Sequence, residues 1–414
     1  MHNARKTRSP TRRRLMLTGG IGAIGAGMAT LLPARLDDVQ PVTIRRHRRS
    51  NAAETRVPPT VVSLADYGGV PGAGRDALVR AFGRAFASLA AAGGGTLFVP
   101  AGRYDFGQLE RGDDVILCRD AHDIVISAHG AFFSAKTMAR VVPHLFYFFN
   151  FHNITIAGAR FSDTGFDPHV NWKGMYCVGI QADRASSGFR MIDCSAERVM
   201  GLLASNNNAR SRMLLSDISV DGEVRHSYYG VGASYIREKV RVRLVCYNVR
   251  RAFIAYSLND ADILVSAHNT INWPGSNGLV ALVSGGASMG NVEKVRVDVE
   301  VSGAGIHGSY VHFYHQGPEA NGYMRDIDAT VNLRHVRSAH NLFAFDHEID
   351  GVQTKTARIW DRIFLHGSVI GAFEGSVVSN KSVTTSPGTV YLDPALVKVG
   401  KNKTLAAGFR VRLP

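Results

Sequence analysis

Several things are scarce in this chain, and each shortage excludes something. Its 414 residues hold four cysteines, Cys118, Cys177, Cys194 and Cys246, at spacings that match neither a disulfide-rich scaffold nor a Cys/His zinc site. Two disulfides stay open for an exported protein. Cys194 in RMIDCS and Cys246 in VRLVCYN, however, hold the same place in similar strands, which favours buried thiols in one core stack. Fourteen prolines stand against 43 glycines, a balance that favours many turns. The longest apolar stretch, Ile21 to Leu32, is too short and too glycine-rich to anchor as a membrane span. Only 20% of the residues are charged and 45% are hydrophobic, enough to bury a large core in one long domain or two. The net charge of +14 is unevenly placed. Residues 1–60 carry 12 Lys/Arg and 3 Asp/Glu, or +9, leaving 36 basic and 31 acidic residues, or +5, for the remainder. A nearly balanced body lacks the spread footprint that phosphate tracking needs, so nucleic acid is excluded as a partner.

The basic start has a layout of its own. Thr11-Arg12-Arg13-Arg14-Leu15-Met16-Leu17 runs into the short apolar stretch, with small-residue cleavage points after Ala29 or Ala34. This is the pattern of a twin-arginine signal peptide over residues 1–34. It predicts export through the Tat translocon to the periplasm or beyond, with no stable membrane anchor after cleavage. A disordered basic tail is the other reading. Residues 35–60, with Arg45-Arg46-His47-Arg48-Arg49 and Pro58-Pro59, read as a solvated linker. Residues 61–414 form the folded domain.

That domain begins with a distinctive segment. Asp66-Tyr67-Gly68-Gly69 leads through the amphipathic stretch Asp76 to Ala91, then three glycines, the run Thr96-Leu97-Phe98-Val99, and Pro100-Ala101-Gly102-Arg103-Tyr104. The order is a helix feeding directly into a strand. Residues 63–106 resemble the opening cap of the pectate lyase superfamily, whose pattern runs Asp-Phe-Gly-Ala, helix, Gly-Gly-Gly-Thr, strand, Pro-Ala-Gly-x-Tyr. The resemblance implies a pectin lyase-like β-helix that acts on carbohydrate polymers.

After the cap, over 61–106, the helical period vanishes and short β-rich runs recur. One column holds HDIVISAHG (from His122), HNITIAGAR (His152), GFRMIDCSA (Gly188), SRMLLSDIS (Ser211), KVRVRLVCY (Lys239), ADILVSAHN (Ala261), KVRVDVEVS (Lys294) and RDIDATVNL (Arg325). A second column starts at Gly179, Gly201, Gly230, Ala252, Gly278 and Asn341, with an apolar residue and an alanine two apart on one inward face. Two alternating strand columns repeated over about eight turns are the signature of a solenoid. The expected fold is all-β: a right-handed parallel β-helix with an N-terminal capping α-helix.

Chemistry is expected on one outer strand face. Polygalacturonase relatives place paired aspartates ahead of the Gly-Ile type strand, one as acid and one as base, and this chain has none there. Instead Lys173 and Tyr176, Arg198, His226 and Tyr229, Arg250 and Arg251, Trp273, and His307 stand ahead of successive second-column strands, with Tyr256 on the outer face. Such a basic and aromatic column suits β-elimination or C5 epimerisation of a uronate. Both reactions need a cation to neutralise the carboxylate and a His or Tyr to take the adjacent proton. The plain reading of each residue alone is solvated surface. In YVHFYHQ, inward Val311 and Phe313 put His312 and Tyr314 outward together, as a base/acid pair or a polar ladder packed on a loop. The candidate catalytic residues are thus His226, Tyr229, Arg250, Arg251, His307, His312 and Tyr314. Those for binding are Lys173, Tyr176, Arg198, Tyr256 and Trp273, whose rings would stack on sugars.

Gly165-Phe166-Asp167-Pro168-His169 resembles the Asp-Pro-His motif of mannuronan C5-epimerases, with Thr164 where that motif has tyrosine. Asp-Pro is equally an ordinary turn pair. No cofactor is expected; Asp346, Glu348 and Asp350 offer part of a Ca2+ ligand set without a partner coil. The favoured expectation is a lyase for an acidic, uronate-containing polysaccharide. The alternatives are a non-catalytic polysaccharide-binding or export protein, a glycoside hydrolase, and a C5-epimerase.

Overall fold

A computed structural model describes residues 60–414 except 111–112, 139–141, 171, 206–213, 270–277, 286–289, 305–307, 317–321, 339–340, 349–358, 381–388, 398, 400–409 and 413–414. The expected signal peptide, nearly all of the linker, Trp273, His307 and Asp350 therefore lie outside the described residues.

Alternation in the sequence becomes an inside and an outside. In KVRVRLVCY, Val240, Val242, Leu244 and Cys246 are buried while Arg241 and Arg243 are exposed, as a period of two requires. Coils then pair in parallel, residue on like residue. One file runs Ile126, Ile156, Met191, Val220, Val242, Ile263, Val297, Ala329, Leu365 and Leu392, every side chain buried. A second runs Phe146, Val178, Leu203, Val231, Phe253, Val280, Val311, Phe343 and Val378. The chain is a right-handed parallel β-helix, the hand that parallel crossover connections take almost without exception.

The corners have their own chemistry. Immediately before the first file's strands, Asp123, Asn153, Gly188, Asp217, Lys239, Asp260, Lys294, Asp326 and Arg362 occupy one register in nine successive coils. All nine have φ between 50° and 76°, so one left-handed residue turns the chain in each coil. Asp and Asn tolerate that region best after glycine, and Asn153 also donates to Asp123 at 2.7 Å. A second left-handed corner holds Arg198, His226, Asn248, Asn269, Gly303 and His335.

Helix α1 (Arg75–Ala91) closes the N-terminal end. Leu78, Ala81, Phe82, Ala85, Phe86 and Leu89 line its buried stripe at the three-to-four spacing of one helical face. Phe82 meets Phe146 edge-on at 5.4 Å and Phe133 at 6.3 Å, and Phe86 meets Phe148. The helix thereby covers the Phe146 end of the core, while the first file continues past Ile126 to Leu97 and Val62. The three glycines that follow are needed because the turn is tight. At Gly94 a Cβ would lie 2.6 Å from the Asp123 carbonyl, with φ at 117°.

All four cysteines are free and buried. Burial pushes the Cys118 and Cys194 thiols up to about 12 and raises Cys177 and Cys246 as well. The expected shared stack of Cys194 and Cys246 is not formed. Cys246 stands in register with Ala196, Val224 and Ala267, whereas Cys194 stands with Gly222 and Leu244. Cys194 comes three residues after Met191 and Cys246 four after Val242 in the paired strands. The register shift between Val220 and Gly222, where Ile192 and Asp193 together oppose Asp221, then sets Cys194 inward at a level two residues from Cys246.

Two outcomes follow for the isolated protein. In the native state at pH 8 the four thiols should resist a disulfide reagent, and all four should react in denaturant. Phe82→Ala should cost about 3–5 kcal/mol in denaturant titration, because the ring it removes plugs the end of the core.

Candidate functional site

One step outward from the Val178 file, a row in which five of eight residues are Gly or Ala crosses the coils. It reads Tyr147, Gly179, Ala204, Gly232, Ile254, Ala281, His312 and Ala344. Residues this small between larger neighbours leave a trench, about 310 Å³ where it is best formed. Ala204, Gly232 and Ile254 lie along its floor, Ser205 and Ser234 add hydroxyl groups, and His144, Trp172, Tyr176, Tyr229 and Tyr256 form its sides.

The aromatic side is a register phenomenon. Asp114, His144, Tyr176, Gly201, Tyr229 and Arg251 occupy one level of six successive coils. The His144 and Tyr176 rings stack at 5.8 Å, and the Tyr176 and Tyr229 rings lie nearly parallel at 6.5 Å across the intervening coil. Gly201 makes this approach possible, since a Cβ there would come within 2.4 Å of the Tyr176 ring. The Arg251 guanidinium lies over Tyr229 at 5.8 Å, and its Nε donates to the Gly278 carbonyl at 3.2 Å. Beside them Arg250 lies over Tyr228 at 4.2 Å. At the other end the His144 Nδ1 is 2.9 Å from the Asp114 carboxylate.

Burial sets the protonation states here. It raises the Tyr176 phenol well above its ordinary value, with the nearby Tyr229 and Tyr256 adding to the effect. Tyr229 and Tyr256 are also raised by burial, which the Arg251 cation partly opposes. These phenols stay protonated at neutral pH and can donate a proton, but they are poor bases. Burial, with Arg251 adjacent, lowers Arg250 to about 10, so it remains a cation at neutral pH.

The structure brings Tyr176, Tyr229 and Tyr256 together in the trench, with Arg251 at the end of the ring row and Arg250 on the adjoining Tyr228. His312 and Tyr314 do face outward beside each other, rings 5.6 Å apart, on coils further along. His312 is only 3% exposed and its Nε2 lies 3.7 Å from Asp346, so Asp346 pairs with an imidazole. Among the described residues no group of three potential ligands could hold a metal ion. Lys173 and Arg198 line a different cavity with Lys136 and the Asp167-Pro168-His169 turn. Asp167 there accepts from the backbone of His169 at 2.9 Å, the bond of an ordinary Asx turn.

His226 is not among the trench-lining residues. It occupies the left-handed corner with φ at 47°, exposed, its ring 3.4 Å from the Asn248 amide. Turning the chain there aims it away from Tyr229, three positions later, which lines the trench. Nor do the Tyr176 and Tyr229 faces present themselves for sugar stacking, because their neighbours occupy them. The exposed ring is Trp172, 51% accessible, which the sequence did not single out. The His144–Asp114 pair was also missed. Its members are 30 residues apart, and only the coil period, applied upstream of Tyr176, would have joined them.

No protein-family model matches this chain, and no curated protein does. Solved structures with a similar course exist at very low identity. The tailspike of an Escherichia coli bacteriophage, solved with a pentasaccharide, is 13% identical, covers 85% of this chain and 65% of its own, at a TM-score of 0.49. The exopolygalacturonase of Thermotoga maritima is 13% identical over 79% of this chain and 93% of its own, at 0.32. The A-module of an Azotobacter vinelandii mannuronan C-5 epimerase is 10% identical over 77% and 99%, at 0.32. The chain thus spans less than two thirds of the tailspike's length.

Raised phenols tie stability to pH. Folded Tyr176, Tyr229 and Tyr256 hold their protons above pH 10, where the unfolded chain releases them. Their contribution is whole below pH 10 and is lost as pH rises from there through the folded values. The thermal midpoint should therefore fall above pH 10, and by less in Tyr176→Phe; an equal fall in both would contradict the assignment.

Proposed function

We propose that the trench binds an acidic, uronate-containing polysaccharide along the solenoid axis and cleaves it by β-elimination. The observation that carries this reading is the ring row His144, Tyr176 and Tyr229 beside the small-residue floor. Coils repeat at about 4.8 Å, so an extended polymer meets a new set of donors at each rung. The exposed Trp172 ring offers one face for a sugar.

The side chains divide the reaction between them. With Nδ1 held by Asp114, His144 keeps the tautomer whose Nε2 accepts a proton, and it takes the one α to the uronate carboxylate. Tyr176, kept neutral by burial, donates to the departing glycosidic oxygen. Arg251 lies four rungs from His144, roughly 19 Å at the coil spacing, and so grips a different sugar of the same chain. Among the described lining residues of the trench there is no Asp or Glu, which turns the reading away from two-carboxylate hydrolysis.

Incubating the purified protein with polygalacturonate, alginate and glucuronan should produce absorbance near 235 nm on at least one of them. His144→Ala should lower turnover by about 10²-fold or more while leaving polymer binding within a few-fold. Reducing ends without that absorbance would replace elimination by hydrolysis. A changed uronate composition without new ends would replace it by epimerisation, and binding without either by a non-catalytic role. We also propose export by the twin-arginine route, supported by Arg12, Arg13 and Arg14 ahead of the apolar stretch. Replacing these three with lysine should leave the protein in the cytoplasmic fraction.

A further inference from the structure

The second cavity, about 530 Å³, is lined by Thr164 to His169 and by Lys173, ahead of the Tyr176 strand. Lys136, Lys173 and Arg198 line it, with His169 beside them and Asp167 as the one acidic residue among the described lining residues. Among the described residues none of the three cations has a carboxylate at ion-pair distance, whereas Arg75, Arg190, Arg325 and Arg362 elsewhere all do. Cations gathered around one concavity repel each other unless an anion joins them.

The cavity is also firmly built. Asp163, fully buried, accepts four hydrogen bonds: from the Thr137 backbone at 2.9 Å, the Thr137 hydroxyl at 2.7 Å, the Gly165 backbone at 2.8 Å and the Met175 backbone at 2.9 Å. One carboxylate thus pins both ends of the segment that carries Lys173 to the strand that carries Lys136. Gly165 lies so close to that strand that a Cβ would approach the Thr137 carbonyl to 2.1 Å. Arg198 comes from the next coil, held at its left-handed corner with φ at 55°.

We propose that this cavity is an anion subsite that grips a uronate carboxylate of the polymer through Lys136, Lys173 and Arg198. It rests on the polysaccharide reading and deepens it. Lys173 and Arg198 stand three residues before Tyr176 and Gly201, on the two coils where the ring row is tightest. The subsite therefore supplies positive charge at the His144 end of the trench, which Arg251 is too distant to reach. Asp163 is a positioning residue for it.

The test is calorimetric titration of the full chain with hexamers of galacturonate, mannuronate and glucuronate, and with cellohexaose as the neutral probe, at low and high salt. The wild type should bind at least one acidic hexamer more tightly than cellohexaose, and more weakly as salt rises. The combined Lys136→Gln, Lys173→Gln and Arg198→Gln variant should bind it about 10- to 100-fold less tightly with a shallower salt dependence. Lys136→Arg with Lys173→Arg should bind like the wild type, which separates charge from altered packing. If the glutamine variant matches the wild type in affinity and salt dependence, the subsite is wrong and the trench reading stands. If the wild type binds no acidic hexamer, both fall.

Discussion

Everything in this molecule depends on the parallel register that sets each coil on the last. Two inward files of Ile, Val, Leu, Met and Phe lock that register, because a slip of one residue would turn each file outward. Once they are locked, the outward residues are also fixed in rows across coils. The trench floor and the ring row are consequences of that lock. Gly179, Ala204 and Gly232 lie in line because Val178, Leu203 and Val231 do.

Corners and ends complete the constraint. A left-handed residue before nine of the ten first-file strands turns the chain at the same place in successive coils. Helix α1 plugs the first coil with Phe82 and Phe86, so the register has a defined origin. A solenoid's stability is built from neighbour contacts, and the cap protects the coil that has only one neighbour.

Much of the fold was legible in the sequence. The α1 stripe, the three glycines and the strand after them sit where the pattern places them, and the first column runs in register from Ile124 to Ile327. The second column was legible as strands but not in register. Aligning its glycines sets Gly201 on Gly179, whereas Gly201 pairs with Tyr176 and Gly179 with Ala204. For the same reason its alanines divide: Ala233 and Ala255 point inward, while Ala204, Ala281 and Ala344 belong to the outward row. A column of glycines and alanines carries little phase information, since small residues fit either face. Of the residues gathered in or beside the trench, Tyr176, Tyr229, Tyr256, Arg250 and Arg251 were legible because they precede or follow the strand signal closely. His226 was misplaced because a corner residue looks the same in sequence as a residue entering the face. His144 and Asp114 lie upstream of the column's first glycine, where the same period still runs beneath different residue types.

On the proposed reading an acidic polymer lies along the trench and the cationic cavity beside it, and not on the strand wall that carries Phe364 and Tyr391. Hydroxyl-radical footprinting with and without a saturating acidic oligosaccharide addresses it residue by residue. Binding should lower the labelling of Trp172, Tyr176 and Tyr256, and leave unchanged the stacked Phe364 and Tyr391 of the other strand wall. Protection of Phe364 and Tyr391, with Trp172 labelled as before, would contradict it.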